Sequence, residues 1–233
     1  MRCPRCSRQN DETVVQCECG FAFDEVAITQ LPAWFAEVKQ VLETAYLAAP
    51  TPWQQSGKSG SFETWTRLRL PNLEPVDRPG TYLDIGCANG FLLHCLMNWA
   101  ALKEIKLTPY GLDYSAELIR LARERLRRYA GNFFVANALD WQPVTRFDYV
   151  RTELVYMPRN YEQIYIKRLL THFLAEAGKL IISDYRSRQD DLSRGWLTDK
   201  LAAWGYQVSE TYSGYDGDGL ELCRVAVLPA DQG

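Results

Sequence analysis

The segment from Thr81 to Gly90, Thr-Tyr-Leu-Asp-Ile-Gly-Cys-Ala-Asn-Gly, constrains this chain more than any other, and an apolar stretch from Phe91 to Trp99 follows it at once. That order reads as a buried strand, a tight turn of small residues and a helix, the repeating unit of an α/β protein. Small residues in such a turn let a ligand approach the backbone at a helix start. A dinucleotide-binding turn needs Gly-x-Gly-x-x-Gly. Here Gly86-x-Ala88-x-Gly90 runs into Phe91, which argues against that ligand class.

More strand-like segments follow. Residues 107–113 form a second strand ending in Asp113, and residues 132–136 a third, trailed by Asn137-Ala138-Leu139-Asp140. Residues 147–154 read as a fourth, opening Phe-Asp-Tyr-Val. A carboxylate at the tip of a second strand can accept two hydroxyl hydrogen bonds from a ribose diol, or can simply cap the helix that starts near Ser115. Asp84 with the Gly86–Gly90 turn, Asp113, the Asn137 loop and the fourth strand together resemble motifs of the class I S-adenosylmethionine-dependent methyltransferases, in the family's order, over residues 80–228. The stretch from Gln54, with Trp65 and Arg69, also looks like that of bacterial members of this superfamily.

The resemblance implies a seven-stranded Rossmann-like sheet, parallel except for its last strand, with helices on both faces. It implies S-adenosylmethionine as cofactor, with Asp84 at its site, the turn of Gly86, Cys87, Ala88 and Gly90 against its methionine part and Asp113 on the ribose. Tyr114 would flank the adenine, and Asn137, Ala138 and Leu139 would line its edge. The acceptor-facing segment would be Arg151-Thr-Glu-Leu-Val-Tyr-Met-Pro158, with Glu153 and Tyr156 as the candidates for acceptor contact or general base. Glu153 can alternatively be a structural partner of Arg151. The segment lacks the Asn/Asp-Pro-Pro-Tyr form used on exocyclic amines of nucleic acids, which lowers that acceptor class. Neither His94 nor His172 is placed as a base, and Cys87 reads as a packing residue.

The rest of the pattern fits the same sheet. Residues 161–177 read as a helix, 179–184 as strand five and 191–204 as another helix. Residues 206–212 and 221–228 read as a terminal hairpin whose Asp216-Gly-Asp-Gly link is a turn rather than a calcium loop.

Seven cysteines are present, four of them in the first nineteen residues. Cys3, Cys6, Cys17 and Cys19 form two knuckles, Cys-Pro-x-Cys and a shortened Cys-x-Cys, that suggest a zinc-ribbon-like module over residues 1–25 held by structural Zn2+. Acidic residues outnumber Arg2, Arg5 and Arg8 there, so a structural or protein-contact role is favoured over phosphate binding. Residues 26–78 read as a helical lid or linker and 79–233 as the catalytic domain. The lid opens with an amphipathic helix from Pro32 carrying Trp34, Phe35, Val38, Val41, Leu42, Ala45 and Tyr46. Gly57-Lys58-Ser59 is no phosphate loop, because Pro52 stands where the leading glycine belongs. Trp53, Gln55, Ser56, Trp65 and Arg69 are candidate acceptor-pocket residues, the alternative being a surface loop with core aromatics.

With 47% hydrophobic residues and a formal net charge of −3, the composition is that of a globular protein without the basic excess of most nucleic-acid binders. No apolar run reaches the roughly 20 residues of a membrane span. No signal-peptide core opens the chain, so a cytoplasmic location is expected. The helix after Ser115 carries Arg120, Arg123, Arg125, Arg127 and Arg128 interleaved with Glu117 and Glu124, which reads as a solvated face more readily than as an RNA-binding one. Three functions follow as expectations: methyl transfer to a small molecule, methyl transfer to RNA or protein with the ribbon as recognition module, or a non-catalytic scaffold of the same fold.

Overall fold

The computed structural model describes residues 16–19, 26–57 and 60–232. One seven-stranded sheet organises it: β1 (Gly80–Ile85), β2 (Leu107–Asp113), β3 (Phe133–Val135), β4 (Phe147–Thr152), β5 (Leu174–Tyr185), β6 (Glu210–Tyr215) and β7 (Glu221–Pro229), in the spatial order β3-β2-β1-β4-β5-β7-β6. The β1–β2, β2–β3, β1–β4 and β4–β5 pairs are parallel, while β7 runs antiparallel to both β5 and β6. This is the Rossmann-like methyltransferase sheet that the motif order implies, with the final strand reversed.

The helices are α1 (Leu31–Leu47), α2 (Phe62–Arg69), α3 (Phe91–Leu102), α4 (Ala116–Arg125), α5 (Glu162–His172) and α6 (Leu197–Ala203). Because side chains alternate across a strand, consecutive residues of β1 serve opposite faces. Tyr82 joins Tyr149, Trp65, Leu93, Leu96 and Ile119 in one core, while Leu83 joins Val150, Leu180, Ile166 and Leu169 in the other. Trp65 and Leu68 of α2 belong to the first core, and Phe35 of α1 belongs to the second.

Several boundaries differ from the sequence expectation. The helix expected over 161–177 ends at His172, because Leu174 is buried and pairs with Phe147 across the start of β4. The bulge between Phe147 and Tyr149 then lets the chain resume strand pairing at Lys179, and a side chain at Gly178 would collide with the carbonyls of Ala175 and Phe147. The helix expected over 191–204 begins only at Leu197: Asp191 accepts from the Ser193 amide and folds the preceding stretch into a turn. The first strand of the hairpin is 210–215 rather than 206–212.

Of the expected zinc module, Cys3 and Cys6 lie outside the described residues. Cys17 is buried beside Val38 of α1, with Cys19 packed at the edge of the same small cluster. Among the described residues no group of three or more metal-ligating side chains converges. No helix among them is long and apolar enough to cross a membrane.

Candidate active site

The sheet order reverses between β1 and β4, and the carboxyl ends of β1, β2 and β4 open a crevice there, the place where ligands bind in open α/β sheets. Gly86 and Gly90 both adopt left-handed backbone (φ 75° and 70°), so the turn closes at once after β1. A Cβ at Gly86 would lie 2.5 Å from the ring of Tyr156, so the glycine is what allows that ring to cover the turn.

Asp113 ends β2 with its carboxylate held from both sides. Oδ2 accepts from the Ala88 amide at 3.0 Å and Oδ1 from the Ser115 amide at 2.9 Å. Ser115 in turn caps α4 by accepting from the Leu118 amide. The carboxylate therefore braces the β1 turn against the α4 start while each oxygen keeps a lone pair toward the crevice. Burial pushes its pKa up to about 6, against the pull of these amides.

A narrow pocket at this point is lined by Gly86, Asp113, Tyr114, Asn137, Ala138 and Tyr156 of the residues expected from sequence. Phe35 of α1, Ile85, Leu112, Ala136 and Met157 complete it. The other expected residues stand behind this lining. Cys87 is fully buried with its thiol pushed well up by desolvation, as a packing residue would be. Ala88 contributes its backbone amide, Gly90 lets the chain enter α3, and Leu139 donates its amide to Asn137 Oδ1 to close that loop.

Asp84 is not in the lining either; it faces Arg151 across the sheet. Arg151 is the residue that sequence reasoning treated only as a partner for Glu153. Its Nη1 donates to Asp84 Oδ1 (3.2 Å) and to the Tyr156 hydroxyl (3.3 Å), its Nε donates to Ser183, and its Nη2 donates to Glu153 Oε1 and Tyr185. Tyr156 donates to the same Glu153 Oε1 at 2.9 Å. Desolvation is the largest influence on Asp84, raising it to about 6 despite Arg151. Tyr156 is pushed well above the usual phenol value by burial and then by Glu153. The signal for this hub was present: an arginine inside Phe-Asp-Tyr-Val-Arg-Thr, a strand buried on both faces, has to find buried partners. Tyr46 of α1 was also missed as a site residue. It is half-buried where Glu153, Arg69, Asp113 and Arg151 all act on it, and its pKa rises to about 12, chiefly by desolvation.

The expected acceptor-pocket residues divide. Trp65 is fully buried among Phe62, Phe91 and Trp99, a core aromatic whose indole N–H points to the Ser56 carbonyl. Gln55 donates to the Ala49 carbonyl and accepts from Asn89, whose side-chain oxygen accepts from the Phe91 amide, so this loop is stitched to the Gly86–Gly90 turn. Trp53 packs on Phe62, and its indole nitrogen has no hydrogen-bond partner among the described residues. Arg69 is buried, with its guanidinium stacked 3.7 Å from the Tyr185 ring centre. Of the arginines in and after α4, Arg120 pairs with Glu117 and Glu124, Arg123 donates to the Phe133 carbonyl and Arg125 to the Asn89 carbonyl, while Arg127 and Arg128 are exposed.

The methyltransferase domain family pattern matches residues 77–215, and the chain belongs to that family and is a methyltransferase. No curated protein matches it in sequence. Its fold is similar to that of Burkholderia thailandensis 1,6-didemethyltoxoflavin-N1-methyltransferase, solved with 1,6-didemethyltoxoflavin and S-adenosylhomocysteine, at TM-score 0.61 and 14% identity over 89% of this chain and 93% of that one. Magnesium protoporphyrin IX methyltransferase from Synechocystis PCC 6803, solved with bound SAM, is similar at TM-score 0.53 and 16% identity over 84% of this chain and 94% of that one. The [4+2]-cyclase SpnF shares the fold at TM-score 0.58 and 13% identity over 92% of this chain and 99% of that one, so the fold by itself leaves the reaction open.

Proposed function

We propose that the protein uses S-adenosylmethionine to methylate a small molecule. One observation carries the cofactor reading: a half-buried Asp113 carboxylate, braced by two backbone amides, stands at the sheet's switch point beside a glycine turn and the Asn137–Ala138 loop. Its free lone pairs suit a ribose diol, Tyr114 and Ala138 give apolar walls for an adenine, and the Gly86–Gly90 turn admits the methionine end. Two of the similar structures, solved with S-adenosylhomocysteine or SAM, support the same cofactor.

The bound cofactor would supply an electrophilic methyl group on a sulfonium. This chain's residues align the acceptor, exclude water and, where the acceptor arrives protonated, take its proton. Glu153 Oε1 is committed to Arg151 and Tyr156, whereas Oε2 makes no hydrogen bond among the described residues, so that oxygen is the proton acceptor of this reading. Tyr156 is a positioning group: as a half-buried donor it fixes Glu153 and covers Gly86.

The small-molecule acceptor is supported by the cover over the crevice. Phe35 of α1 is buried and Tyr46, Tyr156 and Tyr185 are half-buried, so these rings cover the site, where a polymer substrate needs an open groove. Residues 26–78 act as that cover over the catalytic unit 79–233. The donor set Cys3, Cys6, Cys17 and Cys19 is the chemistry of structural zinc, and we assign the metal there on spacing and ligand type; metal analysis of purified protein is expected to give about one zinc per chain, lost in Cys6→Ser. Calorimetric titration of the full chain with S-adenosylhomocysteine tests the central reading. Micromolar binding is expected, and a folded, non-binding protein overturns it.

A further inference from the structure

Among the described residues, one buried cation has no partner. The other two buried arginines are bonded to the chain itself: Arg151 is held by Asp84 and Glu153, and Arg186 donates to the Leu192 and Gly195 carbonyls. Arg69, in the last turn of α2, is only 6% exposed, and its Nη1 is buried with no hydrogen-bond partner. Among the described residues no carboxylate forms an ion pair with it. Its guanidinium lies flat on Tyr185 and packs under Gly57, where a side chain would collide with Nη2. Stacking on a ring offsets part of the desolvation of a buried guanidinium, but an orphaned N–H still costs on the order of 1–3 kcal/mol. Such a cost persists in a fold when a ligand removes it.

The position tells which ligand. Tyr185 is reached from its other partners by Arg151, which also holds Tyr156 over the Gly86 turn. Arg69 therefore stands one ring beyond the hub that the proposed function puts against the acceptor. Its surroundings are Trp65 and Tyr185, and a second orphaned donor, the Trp53 indole nitrogen, belongs to the same covering segment. One free guanidinium edge in an aromatic setting matches a planar monoanion on an apolar body. Arg69 lies outside the family match at 77–215, in the segment ahead of it.

We propose that Arg69 binds a carboxylate of the methyl acceptor, which is then a small carboxylic acid with an apolar or aromatic body. The inference rests on the small-molecule reading above and narrows it.

Benzoate and its uncharged isostere benzamide are the probes, titrated by tryptophan fluorescence into the full chain with and without saturating S-adenosylhomocysteine. Benzoate is expected to bind at least about tenfold more tightly than benzamide, and Arg69→Gln to abolish that preference while S-adenosylhomocysteine affinity holds. Arg69→Lys, which keeps the charge, is expected to retain part of it. Without probe, Arg69→Gln is expected to raise the melting temperature, the opposite of what loss of a structural arginine does. Equal binding of the two probes, or S-adenosylhomocysteine binding with no benzoate binding, overturns the anion site and leaves the cofactor reading standing. A benzoate preference that Arg69→Gln removes, in a protein that ignores S-adenosylhomocysteine, upholds the anion site and overturns the cofactor reading instead.

Discussion

Asp84 and Arg151 are register partners in the parallel β1–β4 pair, and their side chains form a buried ion pair with Nη1 3.2 Å from Oδ1. The motif aspartate is thereby fixed by sheet pairing, and the arginine it holds arranges Glu153, Tyr156 and Tyr185 around the crevice.

Removing one side of this pair should cost far more than removing both. Arg151→Met leaves Asp84 and Glu153 buried without their cation and is expected to lower unfolding free energy by about 3–5 kcal/mol. The double variant Asp84→Leu/Arg151→Met should recover much of that loss, as read by urea unfolding. Strict additivity of the two single changes would contradict the hub.

Asp113→Ala should weaken S-adenosylhomocysteine binding by about 10–100-fold, the worth of one or two hydrogen bonds to a charged acceptor. Calorimetry measures it, with circular dichroism to confirm the fold. Unchanged affinity would remove Asp113 from the ribose assignment.

The raised pKa of Asp113, about 6, sets a pH window of definite sign. An acid whose folded pKa lies above its unfolded value of about 3.9 binds more protons folded than unfolded between the two. Its contribution favours the free protein's stability at low pH and is lost as pH rises through about 6. Ligand affinity runs the other way, since only the carboxylate accepts two hydroxyls. S-Adenosylhomocysteine binding should therefore be level above pH 7 and fall through about pH 6, and Asp113→Asn should flatten the profile. A wild-type affinity that stays constant from pH 5 to about 8 would count against it.

Gly86→Ala faces two penalties, left-handed backbone at φ 75° and a Cβ 2.5 Å from the Tyr156 ring. A stability loss of about 1–3 kcal/mol is expected from the strain and the clash together. In a Tyr156→Ala background the steric part should vanish, so the loss due to Gly86→Ala should shrink. Melting curves of the four proteins decide it.

The sheet was legible because its signals are local: apolar runs ending in Asp84 and Asp113, and a small-residue turn after the first. The errors lie where tertiary pairing overrides local character. Leu174-Ala-Glu-Ala177 has helical composition, yet Leu174 is claimed by Phe147 of the neighbouring strand. Gly86, Asp113, Tyr114, Asn137 and Ala138 do gather at one pocket, as motif order suggested. Tyr46 and Arg151 were hidden for a different reason. Each reads as an ordinary member of its helix or strand, and only the folding of α1 over the crevice and the β1–β4 register bring them together.

The cover segment has a consequence for where the protein can be cut. Trp65, Leu68, Leu73 and Val76 are buried against the same face of the sheet as Tyr82 and Tyr149, and the Tyr149 hydroxyl hydrogen-bonds with the backbone at Asp77 and Arg78. A fragment starting at residue 77, where the family match begins, would strip one side of the sheet of its apolar coat. The smallest autonomous folding unit is accordingly longer than the family domain, and reaches back at least through α2.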